Sequence, residues 1–153
     1  MGSSYTEFRG KGFWSWDNLL QAWLCTMSLQ MSGRVGSSDW QHKLRDTWLL
    51  TSHSCGSGCV SASLDEFLTD RERVEVVLEV VEGSIERLRT FGPFVAAPFV
   101  NLAGGGLTTV DWPIEWFELI ADTFARLLRG EITTDLSTGS PTLPWTRTGQ
   151  KMG

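Results

Sequence analysis

The sequence predicts an all-α fold, a single compact helical domain of four main helices plus short helical turns. Three observations predict it. Trp16, Leu19, Leu20, Trp23, Leu24, Met27 and Met31 recur at helical spacing and give one broad apolar face. Val74, Leu78, Val81, Ile85 and Leu88 alternate steps of four and three, and Phe117, Ile120, Phe124, Leu127 and Leu128 form a second such face further on. Gly33, Gly92-Pro93 and Gly130 stand where these runs end, as helix stop signals do.

Residues 1–14 read as an extended N-terminal arm, in which Gly10 and Gly12 interrupt regular structure and Phe8 and Phe13 turn toward the core. Residues 15–132 form the helical domain. Ser15 is the expected N-cap of the first helix, with Asp17 adding negative charge in its first turn. Ser38 caps a second helix, whose Trp40, Leu44, Trp48 and Leu49 are expected to face the first. A small-residue loop over 52–59 leads to a short helical turn anchored by Leu64, Phe67 and Leu68. Asp70 then caps a long helix over 71–90. Its valines lower helix propensity, but its period and length outweigh that. Pro98 begins another short turn, and Asp111 caps the last long helix, with Pro113 in its first turn. Residues 133–153 read as a C-terminal tail, partly disordered, with Leu143 and Trp145 as anchors.

The 153 residues are ample for one domain and its core. A net charge of −5 and a pI near 5.0 argue against a dedicated nucleic-acid binder, which carries a basic patch. No apolar run reaches the length of a membrane span, and the first residues hold no signal-peptide apolar core. Three cysteines fit a reducing compartment, so a cytoplasmic protein is expected. Met1 to Thr6 formally fits the myristoylation pattern, but Arg9 and Lys11 make a poor second membrane signal.

The sharpest chemical feature is the helix over 71–90. Glu72, Glu75, Glu79, Glu82 and Glu86 step by three and four residues and line one stripe, about 200° from the apolar stripe. A solvated face explains such a stripe. Yet like charges at this spacing oppose the helix by about 0.2–0.5 kcal/mol per pair. Arg71 and Arg73 also sit at the helix end that the macrodipole disfavours for cations. Glu115, Glu118 and Asp122 share a face of the last helix, but Arg126 and Arg129 finish it, so its dipole accounts for the order. The five glutamates are therefore the candidate partner-binding residues, suited to a basic protein.

His42, His53, Cys55 and Cys59 include zinc-ligand types, but the spacing lacks a second ligand pair, and no metal or other cofactor is expected. Cys59 with a histidine would make a nucleophile–base pair only with an orienting acid, which no recognisable offset supplies. Gly104-Gly105-Gly106 lacks the lysine of a phosphate loop. Arg9 and Lys11 beside Phe13 and Trp14 are read as an arm folding back by cation–π contact.

Phe8-Arg9-Gly10-Lys11-Gly12-Phe13-Trp14 running into Leu19-Leu20-Gln21-Ala22-Trp23-Leu24, then Leu44-Arg45-Asp46-Thr47-Trp48, Gly58-Cys59-Val60 and Leu64-Asp65-Glu66-Phe67-Leu68, together resemble small bacterial helical proteins. Over about residues 5–132 the chain resembles the helical immunity proteins that accompany contact-delivered or secreted toxins. That resemblance implies a non-enzymatic inhibitor with an acidic surface for a basic toxin. It carries over no catalytic residue. The expected function is accordingly a bacterial immunity or inhibitor protein, with surface tryptophans as further anchors. The alternatives are a small-molecule-binding or enzymatic helical domain with a tryptophan-lined pocket near His53 and Cys59, and a homodimer joined through tryptophans.

Overall fold

A computed structural model describes residues 2–34, 36, 38–54, 57–104, 108–138 and 141–144. In chain order its elements are β1 (Ser3–Phe8), β2 (Lys11–Trp16), α1 (Asp17–Ser32), α2 (Asp39–Ser54), α3 (Leu64–Phe67), α4 (Arg71–Arg89), β3 (Phe94–Val95), α5 (Ala97–Leu102), β4 (Trp112–Pro113), α6 (Ile114–Leu128) and β5 (Thr142–Leu143). The all-α expectation is thereby corrected. The fold is mixed α/β, 57% helix and 13% strand, with two small sheets ordered β1-β2-β5 and β3-β4 among the described residues.

The stretch read as an extended arm is a β-hairpin. Ser3 pairs with Trp16 and Phe8 with Lys11, leaving Arg9 and Gly10 as a two-residue turn. Both turn residues have positive φ, 51° and 80°, the arrangement whose twist matches a hairpin. Strand alternation is present but chemically hidden. The buried positions of β1 are Ser4, Thr6 and Phe8, so two of its three inward residues are polar. In β2, Trp14 and Trp16 on the outer face are themselves half-buried, which blurs the alternation further. Ser15 is a buried strand residue and caps nothing; α1 follows Trp16 without a side-chain cap.

Asp17 replaces that missing cap with a tertiary junction. Its carboxylate accepts from the Ser4 hydroxyl and from the Gly58 N–H at 2.9 Å, and its own N–H donates to Gly2 at 3.0 Å. The Val60 N–H donates to Ser4 Oγ at 3.0 Å. One buried carboxylate thus joins the first strand, the start of α1 and the loop after α2.

Helix α1 lies at the centre, in contact with α2, α4, α6 and the hairpin. Trp23 and Trp48 are fully buried, and the Trp48 indole N–H donates to the Ala62 carbonyl at 2.9 Å. Phe124 of α6 meets the rings of Phe13 at 5.6 Å and Trp23 at 6.3 Å. Leu49, expected to face α1, is 44% exposed, because α2 buries only its Gln41, Leu44, Trp48 and Ser52 positions. Asp70 caps α4 as expected, accepting from the Arg73 N–H at 2.9 Å. Asp111 does not cap α6. It accepts from the Ala97 N–H at 2.9 Å at the start of α5, while Pro113 precedes α6.

The chain after α6 returns to the hairpin. Gly12 and Thr134 exchange hydrogen bonds of 3.0 and 2.9 Å, and β5 runs parallel to β2. Asp135 closes the adjoining turn. Hydrogen bonds from the Ser137 hydroxyl, then from the Ser137 and Thr138 amides, pull its carboxyl from an ordinary 3.8 to about 2, with Lys11 at 3.6 Å assisting. Trp145 and the rest of the predicted tail beyond residue 144 lie outside the described residues.

Two measurements check these junctions. Asp17→Asn keeps one acceptor oxygen but sets an amide against donors, and it should cost about 1–3 kcal/mol in denaturant unfolding. Asp135 has its pKa lowered by folding, so its contribution is complete above 3.8 and fades as pH falls through about 2. An NMR titration should place the Asp135 midpoint near 2, with the Gly12 amide shifting in step. In Asp135→Ala the Gly12 amide should lose that acid transition.

Candidate partner-binding groove

Helices α4 and α6 pack side by side and leave a groove of about 510 Å³ between them. Residue size is the reason. Helix α6 presents Ala121 and Ala125, one turn apart, where α4 presents Leu78, Val81 and Ile85. Two methyl groups facing three branched side chains leave a trough floored by apolar surface. Its walls are charged. Glu75, Glu79, Glu82, Glu118 and Asp122 line it, against Arg89 and Arg129.

All five predicted glutamates are exposed on α4, and the structure divides them. Glu75, Glu79 and Glu82 line the groove, whereas Glu72 and Glu86 are not among its lining residues. Glu79 is held by Arg34, beyond the end of α1, at 3.0 Å. Glu118 is held by Arg89 at 2.9 Å through two guanidinium hydrogen bonds. Glu75, Glu82 and Asp122 have no ion-pair partner among the described residues. They are the carboxylates available to a ligand. The α6 contribution was missed because its acids were explained by the helix dipole. The signal lay in Ala121 and Ala125, two small residues interleaved with Glu118 and Asp122.

Of the other candidate groups, His53 and Gly104 have structural roles. His53 spans two elements, with Nε2 3.0 Å from the Leu102 carbonyl and Nδ1 2.8 Å from Ser52 Oγ. His42 lies eleven residues earlier on the same helix, about 16 Å away along its axis, too far to share an ion with His53. Among the described residues no three His, Cys, Asp or Glu side chains are grouped to hold a metal; Cys55 lies outside them. Cys59 is exposed and Cys25 buried; burial pushes the Cys25 thiol up, against a hydrogen bond from Ser52. Gly104 has φ +89°, and a Cβ there would come within 2.1 Å of the Ser52 carbonyl oxygen. That position therefore serves close backbone approach; Gly105 and Gly106 lie outside the described residues. No helix among the described residues is long and apolar enough to cross a membrane.

The tryptophans are structural as well. Among the described residues Trp23, Trp48, Trp112 and Trp116 are buried and Trp14, Trp16 and Trp40 half-buried, so none of them stands out as a surface anchor. Trp116 packs against both Trp16 and Trp112 at 5.5 Å. Arg73 stacks on Trp40 at 4.9 Å and pairs with Asp70 at 3.7 Å, which accounts for one of the two cations at the start of α4. Arg9 lies over Phe8, at 4.7 Å from the ring centroid, in place of the expected contact with Phe13 or Trp14.

Compared with family models, curated proteins and solved structures, the chain matches none.

Proposed function

We propose that this chain is a non-enzymatic binding protein that docks a basic protein segment in the α4–α6 groove, as an immunity or inhibitor protein would. The supporting observation is the groove itself: carboxylates Glu75, Glu82 and Asp122 without ion-pair partners among the described residues, set along an apolar floor of Leu78, Val81, Ile85, Ala121 and Ala125. An amphipathic helix with lysines or arginines flanking an apolar stripe is the complementary ligand. Its cations would meet the walls and its apolar residues the floor. The inhibitor role rests on the resemblance to helical immunity proteins.

The test starts with co-expression beside the product of the adjacent reading frame. A basic protein should be captured and its toxicity suppressed. Glu75→Lys with Glu82→Lys breaks no ion pair among the described residues, and it should weaken capture about tenfold or more at low ionic strength and flatten its salt dependence. Ala125→Trp, which fills the groove without changing charge, should also abolish capture. Binding of the verified partner at wild-type affinity by both variants would exclude the groove as its site.

A further inference from the structure

A second cavity, of about 330 Å³, opens where the β1–β2 turn, the start of α4 and the end of α6 meet. Arg9, Arg71 and Arg129 line it, one from each of these places, over a floor of Val74, Leu78 and Leu128. Among the described residues none of the three guanidiniums has a carboxylate partner or a side-chain hydrogen bond, as is also true of Arg126 outside the cavity; that of Arg9 lies over the Phe8 ring. Glu75, at the border with the groove, is the cavity's one carboxylate.

Two of these arginines stand where local physics disfavours them. Arg9 has φ 51°, a left-handed conformation that costs a non-glycine residue about 1–2 kcal/mol and that Asn or Gly adopts more readily. Its turn is held there by its own N–H, which donates to Asp65 at 2.9 Å. Arg71 is the first residue of α4, where the helix dipole repels a cation. Three like charges lining one cavity also repel one another, and a bound anion relieves these electrostatic costs, at the start of α4 and among the three cations, together.

We propose that Arg9, Arg71 and Arg129 bind the phosphoryl group of a small phosphomonoester. Guanidiniums reaching in from three elements suit a tetrahedral dianion with several acceptor oxygens better than a planar carboxylate, which one arginine satisfies bidentately. The cavity is larger than a phosphoryl group needs, and its Val74–Leu78–Leu128 floor accepts the apolar part of the ester. The site is separate in chemistry from the acidic groove and does not rest on the groove's partner.

The experiment follows the arginine Nε–Hε resonances of the full chain during titration with phenyl phosphate and, separately, inorganic phosphate at low salt. Arg9, Arg71 and Arg129 should shift saturably, with phenyl phosphate binding more tightly. Arg71→Ala and Arg129→Ala should each weaken binding about tenfold, while Arg126→Ala, outside the cavity, leaves it unchanged. Arg9→Asn should raise the melting temperature by relieving the turn and still weaken binding, a pairing that general loss of structure cannot produce. Glu75→Gln should tighten binding. Four results would overturn the proposal: no saturable shift up to about 10 mM ligand, an equal loss in Arg126→Ala, equal affinity for inorganic phosphate, or binding to anionic vesicles alone.

Discussion

The structure depends on covering a helix that is apolar on nearly every side. Eleven of the sixteen residues of α1 are buried, and they point in all directions around its axis. A helix of that kind has to lie inside the fold. Each fully buried leucine or methionine contributes about 1.5–3 kcal/mol of transfer free energy, and α1 holds Leu19, Leu20, Leu24, Met27 and Met31. Its buried hydroxyls are satisfied: Thr26 donates to the Ala22 carbonyl at 2.8 Å and Ser28 to the Arg45 carbonyl at 3.0 Å. Four separate pieces of chain, the hairpin, α2, α4 and α6, supply the cover.

That arrangement creates both surface cavities. Helices α4 and α6 are brought together because both pack on α1, and their mutual seam is incomplete where α6 carries alanines. The acidic groove is what remains of the seam. At the far end of the same seam, the hairpin turn comes to the start of α4, and arginines collect in place of carboxylates. A net-acidic protein thus presents opposite charge at two neighbouring cavities that share Glu75, Leu78 and Arg129.

The hairpin adds one polar junction, through Ser4, to its apolar contacts. Phe8 and Phe13 enter the core, but Ser4, Thr6 and Ser15 are buried beside them. Ser4 is the residue through which Asp17 reaches the strand, and the same carboxylate holds the loop at Gly58. A strand whose inward positions carry hydroxyls looks solvent-facing until its partners are known. The turn gave little sign of the hairpin either, because the favoured two-residue turns carry Asn, Asp or Gly where Arg9 stands.

By itself the sequence determined the long helices, since periodicity and capping are local. The repeats of α1, α4 and α6, the Asp70 cap and the stops at Gly33, Gly92-Pro93 and Gly130 all act within a few residues. It also determined the glutamate stripe, because spacing of three and four residues places side chains on one helix face wherever the helix goes. Tertiary structure alone decided which carboxylates remain unpaired. Arg34 and Arg89 reach Glu79 and Glu118 from 45 and 29 residues away, distances over which a sequence pattern carries no pairing information. It likewise decided the strand character of residues 3–16, where the Ser4 hydroxyl and the Gly12 backbone gain partners only when residues 57–60 and 134 fold against them.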